Sequence, residues 1–348
     1  MTALRVFVPT PLPDDLCALI AELEPRIELI RDPGLLPPQL YQGDHLGDPA
    51  FRRSAAQQRR FEQLLDQAEA LYGVPDQSPT QLHRTAAANP SLRWVHTTPA
   101  GGGAQVKDAA LTDEQLARIA FTTSGGVHGG PLAEFAVLGV LAGAQNLARL
   151  LTDQHRREWG ARRPVPQVDG SHVVVVGLGG IGRTVARKLH ALGARVTGIH
   201  RRTVDAPGVA EIRPPSELGD ALSTADAVVL ALPGTDATRD MLSGAVLAQA
   251  KPGITVVNVG RGSTVDEPAL IDALASGLVG FAALDVFAVE PLPETSPLWS
   301  MPNVLVSPHN AGTDIDEERR IAELFAANAT RLIDGEPLMN RVDTVEFY

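Results

Sequence analysis

An arginine, two carboxylates and a histidine (Arg261, Asp285, Glu290 and His309) fall at or just after the carboxyl ends of predicted strands in the second half of the chain. The strands are Ile254–Val259, Phe281–Val286 and Val304–Ser307. In open parallel sheets, ligands collect outside such strand ends, so the pattern places all four residues on one rim. Beside a redox cofactor these groups suit carbonyl reduction, in which the oxygen becomes negative and a proton must be supplied. His309 is the natural acid, since histidine ordinarily changes charge near about pH 6.5. Glu290 would favour the imidazolium and orient the ring. Arg261 would hold a substrate carboxylate or polarise the carbonyl. Singly, each has an ordinary structural role: a surface ion pair, a loop carboxylate, a histidine in a capped turn. Behind a dinucleotide motif, the three together read as a hydride-transfer site.

That motif lies in VVVVGLGGIGRTVARKLHALGARVTGIHRR, residues 173–202. Val173–Val176 is an unbroken β-branched run, as in a parallel strand buried on both faces. Gly177, Gly179 and Gly182 supply the G-x-G-x-x-G spacing: a tight turn, close approach of a pyrophosphate, close packing of helix on strand. The next helix places Ile181, Val185, Leu189 and Leu192 on one face, and its N-terminus would aim free N–H groups at phosphates. About 20 residues past the first glycine, an acidic residue usually holds a free ribose 2′-hydroxyl. Here that place is His200, followed by Arg201 and Arg202. Two guanidiniums would bind a 2′-phosphate, which favours NADP(H) over NAD(H). The alternative is that both arginines are solvated and the hydroxyl is held by backbone or by Asp205.

With 348 residues the chain is expected to form two domains, and 44% hydrophobic with 20% charged residues is ordinary for a soluble protein. A formal charge of −11 argues against nucleic acid or an anionic membrane surface as partner. One cysteine, Cys17, excludes an intrachain disulfide framework and fits a reducing cytoplasm. No signal peptide is visible at the start, MTALRVFVP, and no metal site is expected. The most apolar stretch, Leu132–Leu151, contains Glu134, Asn146 and Arg149, so it reads as one long buried helix rather than a membrane span.

Upstream, 4–8, 27–30, 70–74 and 94–98 read as strands, with one more after Gln115–Ala120; Pro13–Leu23 and Ala50–Ala70 read as helices. The second helix carries Arg52, Arg53, Arg59 and Arg60, either a solvated face or a docking patch for an anionic substrate. The glycine cluster at 97–103 follows a strand, where exposed amides can form an anion-binding nest or simply a flexible turn. Thr122–Pro131 is a plausible hinge; its His128 reads as a surface histidine more than a catalytic one. Past Arg202, Ala227–Leu232 opens the alternation of strands and helices that a doubly wound domain requires.

Five ordered motifs carry a family resemblance: VVVVGLGGIG (173–182), LPGTDATRDML (232–242), NVGRG (258–262), LDVFAVEPLP (284–293) and PLWSMPNVLVSPHNAG (297–312). On these, the chain resembles the D-isomer-specific 2-hydroxyacid dehydrogenases over nearly its whole length, glyoxylate/hydroxypyruvate reductases among them. The resemblance implies an α/β fold with a Rossmann NAD(P)-binding domain (125–312) inserted in a flavodoxin-like substrate domain built from both chain ends (1–124 and 313–348). It implies a catalytic triad of Arg261, Glu290 and His309. Ala100, Gly101 and Gly102 match the segment that binds the substrate carboxylate through backbone amides, with Arg261 and His309 completing the substrate site. Cofactor contacts carry over onto Gly177, Gly179, Gly180, Ile181, Gly182, His200, Arg201, Arg202, Leu232, Pro233, Thr238, Val259, Gly260 and Gly312. Asp285 matches a residue that contacts the nicotinamide carboxamide. The helix after Pro131 implies a homodimer.

Three features depart from the family pattern. His200-Arg201-Arg202 replaces the acidic strand end of NAD-using members. The stretch from about Tyr41 to Gln67 is longer than its usual counterpart. Gly101-Gly102-Gly103 lacks the acidic or aliphatic residues that often follow the first glycine. The reading that results is a cytoplasmic reductase of small 2-oxo acids, preferring NADP(H) with NAD(H) as second cofactor; glyoxylate and hydroxypyruvate are the leading substrates. Two other readings stand beside it: D-3-phosphoglycerate dehydrogenase, and a non-enzymatic dinucleotide-sensing protein resembling the C-terminal-binding-protein corepressors. Against the first, the chain ends soon after its last predicted helix, Glu317–Ile333, which leaves no room for the regulatory domain many such enzymes carry; against the second, the triad is intact and long disordered tails are absent.

Overall fold

Short apolar runs alternate with helices from the start of the chain, and each run becomes a parallel strand. The computed structural model describes residues 3–345 and 347. β1 (Leu4–Phe7), β2 (Ile27–Ile30), β3 (Ala70–Tyr72), β4 (Trp94–Thr97) and β5 (Ala120–Thr123) form one sheet in the order β2-β1-β3-β4-β5. Every pairing in it is parallel, and 2-1-3-4-5 is the flavodoxin-like order. The chain leaves this unit after His128 and re-enters it at Thr313, so Met1–His128 with Thr313–Tyr348 forms one compact unit and Gly129–Gly312 the other. The re-entering helix, Glu317–Asp334, packs on Asp14–Leu23 and sets Phe325 against Trp94, ring centroids 4.5 Å apart.

His96 stands in that core, between Thr122 Oγ1 (2.8 Å from Nδ1) and Ser124 Oγ (3.2 Å from Nε2). Burial, with a smaller push from His45, takes its pKa down to about 3. The folded chain therefore keeps His96 neutral where the unfolded chain protonates it. Stability should be full above about pH 6.5 and fall as pH drops from there toward 3. Denaturant midpoints measured from pH 7 down to 4 check this: the midpoint should fall with pH, and His96→Asn should flatten the slope.

In the second unit, β6 (His172–Val176), β7 (Arg195–Ile199), β8 (Val209–Arg213), β9 (Ala227–Leu230), β10 (Ile254–Asn258), β11 (Val279–Leu284) and β12 (Val304–Val306) order as β12-β11-β10-β9-β6-β7-β8. Counted from β6, the first six strands follow the 3-2-1-4-5-6 order of a Rossmann domain, and the strand order reverses between β6 and β9. Val173–Val175 of β6, Val228–Leu230 of β9 and Val256–Val257 of β10 are fully buried, as all-parallel strands covered by helices on both faces must be.

The sequence expectation omits three helices of the first unit, Pro79–Ala88, Gly103–Asp108 and Asp113–Arg118, and three further elements differ from it. The helix expected over 50–70 spans Ala55–Leu65, started by a capping box between Ser54 and Gln57, so Arg52 and Arg53 lie in the loop before it. The single helix expected over 132–151 is two, Gly129–Ala144 and Leu147–Arg156, meeting at 65°. Asn146 adopts a left-handed φ of 52° at the break, which ends the helical hydrogen-bond ladder. Among the described residues no single helix is long and apolar enough to cross a membrane. β8 went unrecognised because an edge strand needs no continuous apolar run; VAEIR is only partly buried.

Candidate active site

The glycine turn after β6 is built by close approach. Gly177 sits at φ 94°, and a Cβ on Gly182 would fall 1.8 Å from Gly177 O, so the first turn of helix Gly180–Ala191 lies directly on the strand. Gly179 is the N-cap, and no side chain caps the helix. The unpaired N–H groups of that first turn and the open space over Gly179 fit a pyrophosphate. The facing loops are equally tight: a Cβ on Gly260 would stand 2.6 Å from Leu232 O. Thr238 Oγ1 donates to Pro233 O at 2.6 Å and accepts from Thr235 N–H, which fixes the 233–238 turn.

At the end of β7, His200 Nδ1 accepts the Leu178 N–H at 3.3 Å. That contact assigns the ring proton to Nε2. Burial, then the nearby Arg201, Arg183 and Arg202, lower its pKa. The residue in the place of the usual carboxylate is thus a neutral donor ringed by three guanidiniums. Arg183, on the first turn of the glycine-rich helix, belongs to this cluster; it reaches Asp205 O at 3.4 Å.

Arg261, Glu290 and His309 follow the adjacent strands β10, β11 and β12 on the carboxyl rim of one sheet. Glu290 Oε1 accepts the Phe287 N–H at 2.9 Å, and Oε2 meets His309 Nδ1 at 2.6 Å. His309 holds a left-handed φ of 54°, a conformation that costs a non-glycine residue on the order of 1–3 kcal/mol. The strain is held by Asp285, which is buried; its Oδ1 accepts from Ser307 Oγ (2.6 Å) and from the Asn310 and Ala311 amides (3.0 Å each). Arg261 is exposed and makes no ion pair among the described residues, while its own carbonyl is clamped by Asn258 Nδ2 and Thr264 Oγ1. The loop continues tightly: a Cβ on Gly262 would meet the Phe287 carbonyl carbon at 1.9 Å, which locks Arg261's loop to that of Glu290.

In the first unit, Ala100–Gly102 follows β4 at the carboxyl rim of its sheet. The Gly102 amide closes a turn to Pro99 O at 3.2 Å. Among the described residues, no hydrogen bond engages the Ala100 and Gly101 amides, so these two, and not Gly102, are the donors left open to a ligand. His128, read from sequence as a surface residue, is part-buried and meets Glu317 Oε1 at 2.8 Å.

Residues 137–311, half of the chain, match the model of the D-isomer specific 2-hydroxyacid dehydrogenase NAD-binding domain. The chain belongs to that family. It is therefore an oxidoreductase that uses a nicotinamide cofactor on small hydroxy or oxo acids. Similar over its whole length is a family dehydrogenase from Xanthobacter autotrophicus Py2 solved with NADPH and MES, 29% identical and covering 100% of both chains at a TM-score of 0.77. The NADPH-dependent glyoxylate/hydroxypyruvate reductase of Sinorhizobium meliloti, solved with NADP and sulfate, is 25% identical, covers 99% of each chain and has a TM-score of 0.76. D-3-phosphoglycerate dehydrogenase of Mycobacterium leprae is 35% identical over 254 residues, 68% of this chain but 46% of its own length.

Two features of this dehydrogenase escaped the sequence reading. Arg183 was passed over because a cation on a helix reads as solvated until the fold brings it to the end of β7. Asp285, which the resemblance places against the nicotinamide carboxamide, also braces the His309 loop through Oδ1; three donors converging on one oxygen leave no sequence signal.

Proposed function

We propose that the protein reduces small, unphosphorylated 2-oxo acids to D-2-hydroxy acids, with NADP(H) preferred over NAD(H) and His309 as general acid. The 2.6 Å hydrogen bond between His309 Nδ1 and Glu290 carries this reading. Glu290 engages Nδ1, which leaves Nε2 to hold the proton destined for the substrate oxygen. The family resemblance assigns the substrate carboxylate to Arg261 as cation and to the Ala100 and Gly101 amides as donors. With its pyrophosphate at the glycine turn, the bound cofactor would supply the hydride from its nicotinamide. As the carbonyl oxygen gains charge, Arg261 stabilises it, Nε2 gives up its proton, and Glu290 keeps the ring in place. The D stereochemistry is inherited from the family.

Charge supports the substrate class. The loops 8–13, 73–78, 98–103 and 124–128, after β1, β3, β4 and β5, contain no lysine or arginine. Arg31, after β2, is paired with Asp14. A substrate phosphate would find no free cation among them. With NADPH, kcat/KM for hydroxypyruvate or glyoxylate should exceed that for 3-phosphohydroxypyruvate by about tenfold or more. The opposite order would support the phosphoglycerate dehydrogenase reading instead.

A homodimer fits the same proposal. Leu138, Leu141, Leu150, Leu151 and Trp159, on or just after the helices Gly129–Ala144 and Leu147–Arg156, are exposed, an apolar set that a second copy would cover. Sedimentation at micromolar concentration should give twice the chain mass, and a monomer there would rule the dimer out.

A further inference from the structure

The unusually long 41–67 segment has no part in the chemistry just described, yet it makes one strongly built contact. Arg53 Nη1 and Nη2 donate to the two carboxylate oxygens of Asp76 at 3.0 and 2.8 Å, a bidentate pair. Its Nε donates to Leu35 O at 2.6 Å, and its guanidinium lies 3.7 Å from the Phe61 ring centroid. The Arg53 side chain is 8% exposed, so it is neither a solvated arginine nor one available to an anionic substrate. What it grips is strained: Asp76 and Gln77, after β3, both adopt left-handed φ values, 54° and 49°. Two successive non-glycine residues in that region persist only where surrounding contacts hold them. Gln77 passes the constraint on. Its Oε1 accepts from Gln105 Nε2 at 3.0 Å and its Nε2 donates to Thr98 Oγ1 at 3.3 Å. Thr98 opens the loop that presents the Ala100 and Gly101 amides.

We infer that Arg53 is a positioning residue for substrate. Through Asp76 and the Gln77 amide it holds the carboxylate-binding loop in its receptive form, and this is what the long segment adds. The inference rests on the proposed role of the Ala100–Gly101 amides. A planar, two-pronged donor is required, because lysine cannot grip both oxygens of Asp76.

The experiment uses the full chain with NADPH and glyoxylate or hydroxypyruvate, together with hydrogen exchange. Arg53→Gln should raise KM for the 2-oxo acid about tenfold, with kcat and the KM for NADPH within about twofold. Arg53→Lys should recover little of the loss. Arg53→Gln with Asp76→Gly should recover more, since glycine takes a positive φ unaided. Gln77→Ala, which leaves the ion pair intact, should raise the same KM. In Arg53→Gln, the hydrogen-bonded amides that close the loop, Gly102 onto Pro99 O, Ala104 onto Gly101 O and Val106 onto Gly102 O, should exchange about tenfold faster while those of β4 do not change. Unchanged exchange in the loop overturns the inference even if the enzyme is active. So does a matched loss in kcat and in NADPH KM. If exchange accelerates as expected but the 2-oxo acid KM does not move, the carboxylate role of the loop fails, and the substrate role of Arg53 with it.

Discussion

His309→Gln should lower kcat for 2-oxo acid reduction by about a thousandfold, the middle of the range for loss of a general acid, and leave NADPH binding within about twofold. The argument is geometric. The imidazole is fixed at Nδ1 by Glu290 at 2.6 Å, and the backbone is fixed by the Asp285 brace on Asn310 and Ala311. Glutamine can keep a hydrogen bond to Glu290 but has no acidic proton to release at neutral pH. Reduction needs a proton delivered from Nε2 to the substrate oxygen, and the variant cannot supply it. Glu290→Gln should cost less, about ten- to a hundredfold, because the ring keeps its proton-carrying nitrogen and loses only the carboxylate that supports the charge. Stopped-flow measurement of NADPH oxidation, with hydride transfer isolated from product release, checks both. Equal activity of His309→Gln and wild type in that step would sink the assignment.

How far the sequence alone leads depends on the kind of interaction. The valine run 173–176, the glycine spacing and the strand ends at 258–262, 284–293 and 304–309 were legible because buried parallel strands and glycine turns each leave a local pattern. The closing of the first sheet by both chain ends was legible only through family resemblance, since no local pattern says that Glu317–Asp334 returns to pack on Asp14–Leu23. The break at Asn146 escaped notice because the apolar content runs straight through it and only a backbone angle interrupts it. Arg53 is the clearest case. Its sequence neighbours Arg52, Arg59 and Arg60 are exposed, and a run of arginines reads as one solvated face. Tertiary structure divides the run, pairing Arg53 with Asp76 at 23 residues' separation. Long-range pairing of single charges leaves no periodic trace, so it is the part of the site that a sequence shows least.

The other large effect lies at the end of β7. Arg201→Ala with Arg202→Ala should reduce kcat/KM for NADPH by about a hundred- to ten-thousandfold. Two charge-assisted hydrogen bonds to a phosphate, each worth about 1.5–3 kcal/mol, set that scale. Activity with NADH should stay within about threefold, since a cofactor without the 2′-phosphate offers those guanidiniums nothing to bind. His200 strengthens the expectation: with Nδ1 engaged by Leu178 N–H, it presents a donor where a carboxylate would accept from the ribose 2′-hydroxyl. Arg183 remains in the double variant, its charge also acting on His200, so some preference for NADPH should survive; adding Arg183→Ala should remove most of it. If instead the double variant loses NADH and NADPH activity alike, the arginines serve a part of the cofactor common to both. If neither activity changes while Asp205→Ala abolishes NADH turnover, the hydroxyl-binding alternative is correct and the protein is an NAD(H) enzyme. Steady-state kinetics with both cofactors across the three variants separate these outcomes, because the 2′-phosphate is the one group by which the two cofactors differ.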